Sequence, residues 1–395
     1  MRIVDVNEFY SPTGGGVRTY LDRKMGILAD MGHELIVIAP GYEDRVEDRP
    51  GGGRIIWVKA PRLPFDRSYG MFWDAEPITR LLDELDPDVV EVSSPWRPAW
   101  IVAEWQGRAL KVFFAHNDNM GAYAVRWLEG VAQTETVERW CAWYTRYMDR
   151  FLAKFDLFVT NGGELARRHE RRGLTVDAAM PLGIDRGYFS PDLRDERLRT
   201  ALLAQCSLPP EAKLLLGVGR HHPEKRWPTV IDAVERAGER MPVGLILLGQ
   251  GVDHQKLARR AAGSPHIRLF RPVYDRLRFA RIMASADALI HGSDAEPFGL
   301  VALEAVASGL PLIVPDVGGA FDIAEPPFAE TYRARDARSG AGAIARLFRR
   351  DPTILRAACV HAASKVRTDR DHAAILVDYY RARIDGGTTD RRLRA

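Results

Sequence analysis

Short apolar runs rich in Val, Ile, Leu and Phe alternate along the chain with longer stretches of helical period. In the first half the runs lie at 2–7, 34–40, 54–60, 89–93, 111–116 and 157–161, and a helical stretch lies at 17–31. Their apolar residues are nearly continuous instead of alternating, which is typical of strands whose two faces are both covered by helices. The strand–helix–strand order therefore predicts a parallel sheet with right-handed crossovers.

The same pattern restarts after a polar, proline-bearing stretch at 181–210. Apolar runs at 213–219, 244–249, 267–273, 288–292 and 312–315 alternate with helical stretches at 227–239, 275–284 and 300–308. Each half opens with a strand that runs into a glycine-bearing turn, at 11–16 and at 217–220. In open parallel sheets, ligands bind beyond the carboxyl ends of the strands, so we examine the polar residues there first.

These patterns predict an α/β protein of two doubly wound domains, residues 1–184 and residues 185–369. Residues 370–395 are predicted to form a last helix followed by a basic tail that begins at 386. A length of 395 residues suits two domains, since it is long for one core. With 46% hydrophobic and 28% charged residues the chain is globular, which excludes a wholly disordered or coiled-coil protein.

Charge and cysteine content narrow the class of protein. A formal net charge of +3 argues against a nucleic-acid partner, because proteins that coat nucleic acid are usually strongly basic. Cys141, Cys206 and Cys359 lie far apart and form no CxxC motif, which favours a reduced compartment and hence the cytoplasm. No apolar segment serves as a signal peptide or approaches the roughly 20 residues that span a bilayer. We expect a soluble protein, or one that rests on the inner face of the membrane.

A glycine-rich loop, Pro-Thr-Gly-Gly-Gly-Val at 12–17, directly follows the first strand and opens a helix. Without a Cβ, the backbone of Gly15 and Gly16 can approach a phosphate or a sugar closely, with helix N–H groups directed at it. The loop is not GxGxxG, and no acidic residue ends the second strand, so a nicotinamide-dependent dehydrogenase is disfavoured. A tight turn needed only for packing remains an alternative.

Two cations follow the first strand of the second half, in Gly-Val-Gly-Arg-His-His-Pro-Glu-Lys at 217–225. The planar fork of Arg220 and the point charge of Lys225, close to a helix start, suit a diphosphate. The adjacent His221 and His222 have no partners at metal-ligand spacing, and adjacent side chains rarely converge on one ion. We therefore expect neither a metal nor a cofactor.

Two glutamates eight residues apart mark the segment Glu-Pro-Phe-Gly-Leu-Val-Ala-Leu-Glu-Ala at 296–305. Glu296 is expected just before a helix, and Glu304 about a turn and a half inside it. Both can accept hydrogen bonds from hydroxyl groups of a ligand at the helix N-terminus. An exposed loop acid and an ordinary helix glutamate are the alternative, but Glu304 lies in an otherwise apolar helix, where a charge needs a partner.

His116 ends the apolar run 111–116, and the polar Asn117, Asp118 and Asn119 follow it. A histidine at the carboxyl end of a strand, among polar side chains, favours a functional role over a packing role.

Taken together and in this order, these segments resemble the retaining GT-B glycosyltransferases of family 4. The resemblance runs from about residue 2 to about residue 320, and the segment 296–305 with Ala-Ser-Gly-Leu-Pro-Leu-Ile-Val after it is its most specific part. The segments 181–185 and 189–191 also resemble the hinge of that family. The resemblance implies two facing Rossmann-like domains with a deep interdomain cleft, the first domain for the acceptor and the second for a nucleotide sugar. It also implies that a carboxyl-terminal helix crosses back to the first domain.

The resemblance also implies roles for the residues that would hold the nucleotide. Arg220 and Lys225 would bind the donor diphosphate. Glu304 would bind the ribose hydroxyls. Gly15 and Gly16 would face the phosphate.

A second group of roles concerns the transferred sugar. Glu296 and the amides of Phe298, Gly299 and Leu300 would hold it, and His116 would lie near its 6-hydroxyl. Arg220, Lys225, Glu296 and His116 would thus form the catalytic set.

The expected activity is metal-independent transfer of a hexose, of mannose or glucose type, from a UDP- or GDP-sugar to a glycan, lipid-linked or small-molecule acceptor. The resemblance suggests same-face attack, in which the leaving phosphate helps to deprotonate the acceptor. One departure is Asn117, where many members have Asp, so no role of that Asp is carried over to this chain. A GT-B epimerase or phosphorylase remains an alternative. A non-catalytic nucleotide-sugar-binding protein is another. It predicts losses among four residues that are all present, namely Arg220, Lys225, Glu296 and Glu304.

An aromatic stripe occupies 136–155, a segment predicted to form one helix. Its members recur at three- and four-residue steps, and they are Trp140, Trp143, Tyr144, Tyr147, Phe151 and Phe155. Basic residues accompany them, namely Arg139, Arg146, Arg150 and Lys154, with Arg167, Arg168, Arg171 and Arg172 in the next helix. This pattern suits an interfacial helix on an anionic membrane, and packing into the first domain is the alternative.

Two further segments, 93–105 and 120–127, are predicted to line the acceptor side of the site. Trp96, Trp100 and Tyr123 within them could stack on a sugar or an acyl chain, and packing against neighbouring helices is the alternative.

Overall fold

The computed structural model describes residues 1–11, 16–62, 69–118 and 134–393. The chain divides into two compact units, which we call the first unit (Met1–Pro181 with Asp369–Ala395) and the second unit (Leu182–Thr368). The observed division lies near the predicted boundary at residue 184. The last helix groups with the first unit, and it continues to Leu393, so the tail predicted from 386 is helical that far.

The first unit contains a sheet in the order β3-β4-β2-β1-β5-β6-β7-β8, in which β3 is antiparallel to β4 and the other pairs are parallel. Its strands are β1 Arg2–Val6, β2 Glu34–Gly41, β3 Arg45–Asp48, β4 Arg54–Lys59, β5 Val89–Val92, β6 Leu110–Ala115, β7 Leu157–Thr160 and β8 Ala178–Ala179. Its helices are α1 Gly16–Asp30, α2 Glu76–Leu85, α3 Arg97–Glu104, α4 Thr134–Trp140, α5 Ala142–Leu152, α6 Gly163–Arg171 and α15 Asp369–Leu393.

Both faces of this sheet are buried, as the continuous apolar runs predict. Ile3 faces a core shared with α1 and α15, whereas its neighbours Val4 and Val6 face a core shared with α2, α3 and α5. Successive strand residues point to opposite faces, so a strand covered on both sides must be apolar at nearly every position.

A buried ion pair ties the last helix to this sheet. Lys24 on α1 donates to Glu91 on β5, with 2.5 Å between Lys24 Nζ and Glu91 Oε2, and both side chains are 2% exposed. Tyr380 on α15 donates its hydroxyl to Glu91 Oε1 at 2.8 Å. Because a buried carboxylate needs partners, Glu91 links α15 to the first unit.

The second unit contains a parallel sheet in the order β11-β10-β9-β12-β13-β14. Its strands are β9 Lys213–Val218, β10 Val243–Leu248, β11 Ile267–Phe270, β12 Ala288–Ile290, β13 Leu312–Pro315 and β14 Ala329–Tyr332. Its helices are α7 Glu196–Gln205, α8 Trp227–Gly238, α9 His254–Ala261, α10 Arg276–Ser285, α11 Leu300–Ala307, α12 Gly319–Ile323, α13 Ala337–Phe348 and α14 Pro352–Lys365. One core packs against α7, α10 and α11 and the other against α8 and α13, so this sheet too is buried on both faces.

The segment 136–155 is two helices, and the prediction of one continuous helix is wrong. The backbone departs from helical geometry at Cys141, between α4 and α5. The aromatic stripe divides as well: Tyr144 and Phe151 are buried in the core of the first unit, whereas Trp140 and Trp143 are more than half exposed. No helix in the described ranges is long and apolar enough to cross a membrane.

Candidate active site

The turn after β9 is shaped by two glycines. A Cβ on Gly217 would lie 2.5 Å from Leu247 Cδ2 and 2.9 Å from Trp227 Cζ3, so no side chain fits there. Gly219 has a φ of +153°, a conformation that favours glycine. The indole of Trp227 then donates to the carbonyl of Arg220 at 3.0 Å. Packing against the first turn of α8 therefore fixes the backbone where the predicted diphosphate cations begin.

The structure brings Lys225 and Glu296 together, although they are 71 residues apart. Lys225 Nζ donates to Glu296 Oε2, and the two side chains are 15% and 20% exposed. Lys225 ends a short 3₁₀ turn, Pro223–Lys225, and Glu296 lies in the loop before α11. Burial favours a raised pKa for Glu296, but the charge and hydrogen bond of Lys225 outweigh it and hold that pKa below the usual value. This glutamate is therefore an ionised carboxylate.

Arg220, the other predicted cation, is three-quarters exposed. Its Nη2 donates to Glu224 Oε1 at 2.9 Å, and the side chain is 74% exposed. Exposed pairs of this kind are worth about 0–1 kcal/mol, so Arg220 can leave Glu224 for an anionic ligand at little cost.

His291 joins Lys225 and Glu296, and the sequence analysis missed it. It follows β12, its side chain is 3% exposed, and its Nε2 lies 3.7 Å from Glu296 Oε2. Burial lowers the pKa of His291 to about 4. The negative charge of Glu296 acts to raise this pKa, and the positive charge of Lys225 acts to lower it further. Among the described residues, His291 Nε2 has no hydrogen-bond partner. The signal was available, because His291 is a strand-end histidine like His116.

The loop that leads into α11 is held by close backbone packing. Gly319 N donates to Glu296 O at 2.8 Å, and a Cβ on Gly319 would lie 2.4 Å from Phe298. Gly299 has a φ of +91°, and a Cβ there would lie 2.9 Å from Ala320 N. Glu296 is thereby placed just ahead of the helix, as predicted, with Leu300 as the first helical residue.

Glu304 has a different cationic partner. Arg276 Nη1, from the start of α10, donates to Glu304 Oε1 at 3.2 Å, and the Glu304 side chain is 12% exposed. The Arg276 guanidinium also lies over the ring of Phe189, 5.0 Å from its centroid. The two glutamates thus belong to two local groups, one with Lys225 and His291 and one with Arg276. Sequence gave no signal for Arg276, one of many arginines on helices.

His116 follows β6 in the first unit, half-buried among aromatic rings. It stacks on Phe114, with 4.6 Å between the ring centroids, and lies edge-on to Tyr20 at 5.1 Å. Burial lowers the pKa of His116 to about 3, and the charge of Lys24 acts in the same direction. The imidazole is therefore neutral and can donate or accept a hydrogen bond with a hydroxyl group.

Asp118, the acid nearest to His116 in the sequence, already forms ion pairs with two arginines. Asn117 is exposed, and Asp118 is buried, 2.7 Å from Arg172 and 3.7 Å from Arg168.

Some predicted site residues lie outside the described residues, namely Gly15 and the segment 120–127 with Tyr123. Gly16 is the first residue of α1.

Two protein families match most of the chain. Residues 14–186 match the family described as Glycosyltransferase Family 4, and residues 212–350 match the family described as Glycosyl transferases group 1. The chain belongs to glycosyltransferase family 4. It is a glycosyltransferase that uses a nucleotide sugar, and the predicted family is confirmed.

Two of the relatives that match most of this chain are named as mannosyltransferases. A GDP-mannose-dependent alpha-(1-6)-phosphatidylinositol dimannoside mannosyltransferase from Mycobacterium tuberculosis is 29% identical over 316 residues, which cover 80% of this chain and 79% of that protein. A GDP-mannose-dependent alpha-mannosyltransferase, also from Mycobacterium tuberculosis, is 28% identical over 82% of each chain.

Solved structures confirm the GT-B fold of this family 4 enzyme. Sucrose-phosphate synthase from Thermosynechococcus elongatus matches 96% of this chain and 98% of its own with a TM-score of 0.73 and 18% identity. An Anabaena protein solved in complex with UDP matches 97% of this chain and 100% of its own with a TM-score of 0.71 and 16% identity.

Replacing Lys225 with Ala should lower sugar transfer by about 10²-fold, because a fixed charge at a developing negative charge is typically worth several kcal/mol. The measurement is the initial rate of transfer, with the melting temperature as a check on folding. The matched control is Lys256→Ala on α9, which removes an exposed lysine of the same unit. Near-normal turnover in folded Lys225→Ala would contradict the assignment.

Proposed function

We propose that this enzyme transfers mannose from GDP-mannose to a glycan or lipid-linked acceptor, with retention of anomeric configuration and without a metal ion. Both relatives described above are named as GDP-mannose-dependent enzymes, which supports GDP-mannose as the donor. One of them is named for a phosphatidylinositol dimannoside, which supports a lipid-linked acceptor.

The observation that carries the proposal is the pairing of Lys225 with Glu296 beside the start of α11. As the bond to the diphosphate breaks, the sugar becomes oxocarbenium-like and the leaving phosphate gains negative charge. Lysine has three N–H donors, so Lys225 can keep Glu296 in place while it also binds the phosphate. Glu296, held as a carboxylate, accepts hydrogen bonds from the sugar hydroxyls.

Arg220 supplies a second positive charge to the diphosphate. Its exposed pair with Glu224 is weak, and its planar fork binds phosphate oxygens in a bidentate manner. Preorganised cations of this kind stabilise the transition state more than the ground state, because the negative charge develops only as the bond breaks.

The nucleoside is assigned to the other group of residues. Glu304 accepts hydrogen bonds from the ribose hydroxyls, and Arg276 holds this carboxylate in position from α10. Neutral His116 bonds the 6-hydroxyl of the sugar. The acceptor hydroxyl attacks from the face that the diphosphate leaves, and the leaving phosphate takes its proton, so configuration is retained.

The donor proposal is tested with GDP-mannose, GDP-glucose and UDP-glucose. At equal concentrations, GDP-mannose should raise the melting temperature most, because the donor that binds tightest stabilises the folded state most. A ligand at 100 times its Kd stabilises the folded state by about 2.7 kcal/mol. NMR of the product should show a new α-mannosidic bond that forms only when an acceptor is added, with or without EDTA.

Three outcomes would contradict the proposal. Loss of activity in EDTA, restored by added metal, would refute metal independence. Interconversion of sugars or phosphorolysis without an acceptor would favour the epimerase or phosphorylase. Binding of every donor without turnover of any would favour a non-catalytic protein.

We further propose that α4 and α5 contact an anionic membrane, which brings the enzyme to a lipid-linked acceptor. The exposed side chains on these helices include Arg139, Trp140, Trp143, Arg146 and Arg150. Tryptophan with flanking arginines suits the interface between lipid headgroups and acyl chains. Of the basic residues predicted after this segment, Arg168 and Arg172 are largely buried beside Asp118 and are not part of this surface. Arg167 and Arg171 are exposed and pair with Glu164.

The membrane proposal predicts sedimentation with vesicles that contain phosphatidylglycerol, but not with pure phosphatidylcholine. Replacing Arg146 and Arg150 with Glu should weaken binding by at least about thirtyfold, since each cation near the surface is worth about 1 kcal/mol. Replacing Arg240 and Arg259, exposed on the second unit, gives the same change in charge and should have no effect. Absence of sedimentation at low salt would contradict the proposal and favour a soluble acceptor.

A further inference from the structure

A buried carboxyl group to which no role has been assigned above lies at the carboxyl edge of the sheet in the first unit. Glu8 follows β1, and Ser94 follows β5, the neighbouring strand. Ser94 Oγ donates to Glu8 Oε2 at 2.9 Å, and Phe72 N donates to Glu8 Oε1 at 2.8 Å. Glu8 is 6% exposed and Ser94 is fully buried. Both carboxyl oxygens are therefore fixed in direction by neighbouring strand-end loops.

Among the described residues, Glu8, like the buried Asp5, lacks the ion pair that Glu91 and Asp118 have. Glu91 pairs with Lys24, and Asp118 pairs with Arg172. In the described part of the chain no lysine or arginine pairs with Glu8, and burial raises its pKa to about 7. A carboxyl group buried without a cation costs free energy, which favours a functional reason for its position.

An exposed aromatic ring lies on the same loop. Trp96 N donates to Ser94 Oγ at 3.4 Å, which ties Trp96 to the group that holds Glu8. Its side chain is 42% exposed, and its ring is backed by Tyr144 at 5.9 Å and Tyr147 at 6.2 Å. Tyr147 donates its hydroxyl to Pro95 O at 2.8 Å, so α5 holds this loop in place.

Trp100, a second one of the three predicted stacking residues, has a packing role. It is half-buried, and its ring contacts Tyr147 at 6.1 Å and Phe151 at 6.2 Å. The exposed ring on this loop is therefore that of Trp96. We call Glu8, Ser94, Trp96 and Tyr147 the Glu8–Trp96 surface.

We propose that the Glu8–Trp96 surface binds a cyclic polyol, the sugar or cyclitol ring of the acceptor. Such a ring has an apolar face of C–H groups, which packs on an aromatic plane, and equatorial hydroxyls, which donate to a carboxyl oxygen. In this surface Trp96 supplies the aromatic plane and Glu8 supplies the carboxyl oxygen. Ser94 forms hydrogen bonds to both residues. This inference rests on the proposed function, because it identifies the acceptor class of the same reaction.

The aromatic contacts continue from this surface to the proposed membrane face. Tyr144 contacts Trp96 on one side and Trp143 on the other, with 5.9 Å between ring centroids in both pairs. Trp143 is exposed and lies three residues before Arg146 on α5. An acceptor whose polyol ring is joined to a lipid can therefore lie along one continuous set of rings of the first unit.

Binding of two soluble polyols, methyl α-D-mannopyranoside and myo-inositol, tests the proposal without the transfer reaction. Saturation-transfer NMR on the full chain should show contact with the ring protons of at least one of them, and this arm distinguishes a sugar from a cyclitol. Trp96→Ala should raise the Kd about tenfold, the loss of one good contact, and Trp96→Tyr should restore part of it. Glu8→Gln should weaken binding as well.

The control is Tyr42→Ala, which removes an exposed aromatic ring of the same unit that lies on another loop. Polyol affinity should not change in this variant. GDP affinity, measured by calorimetry, should be unchanged in all the variants, so a failed donor assignment and a failed acceptor assignment give different results. Absence of saturation transfer to both polyols in the wild type would overturn the proposal. Unchanged affinity in folded Trp96→Ala and Glu8→Gln would overturn it too.

Discussion

In a parallel sheet all the strands end on the same edge, and this constraint brings together the functional groups that follow the strands. In the first unit, Glu8, Ser94 and His116 follow three parallel strands, β1, β5 and β6. In the second unit, Arg220 and His291 follow β9 and β12, which are neighbours. Within each unit these residues are far apart in the sequence, and they come to one edge because parallel strands all end there.

The glutamates at these sites differ in whether a cation pairs with them, and this difference favours different ligands. Lys225 pairs with Glu296, and Arg276 pairs with Glu304, so each half-buried glutamate has a cation that keeps it in place. Glu8 accepts two hydrogen bonds, and it has no ion pair with a lysine or arginine of the described ranges. Because ionised pairs bind anions and hydroxyls with fixed direction, the second unit suits a charged donor, whereas Glu8 with its aromatic neighbour suits a neutral, hydroxyl-rich ligand.

The sequence predicted the elements whose apolar residues are continuous, and it missed those that depend on tertiary contacts. β1, β9 and β13 were predicted within a residue of their observed ends, because strands buried on both faces have a strong signal. β3 is exposed and polar, so it was missed. The aromatic period continues through Cys141 and hides the break there. Arg276 is recognised only from its contact with Glu304 in the structure. The residues next to Arg276 in the sequence do not predict that α10 begins beside α11.

The central claim is that the two glutamates of the second unit divide the donor between them, and calorimetry with GDP tests it directly. Glu304→Gln should weaken GDP binding by about tenfold or more, because hydrogen bonds to a charged group are worth about 1.5–3 kcal/mol. Glu296→Gln should bind GDP like the wild type and lose sugar transfer, since GDP lacks the sugar that Glu296 is proposed to hold. An equal loss of GDP affinity in both variants would contradict the account.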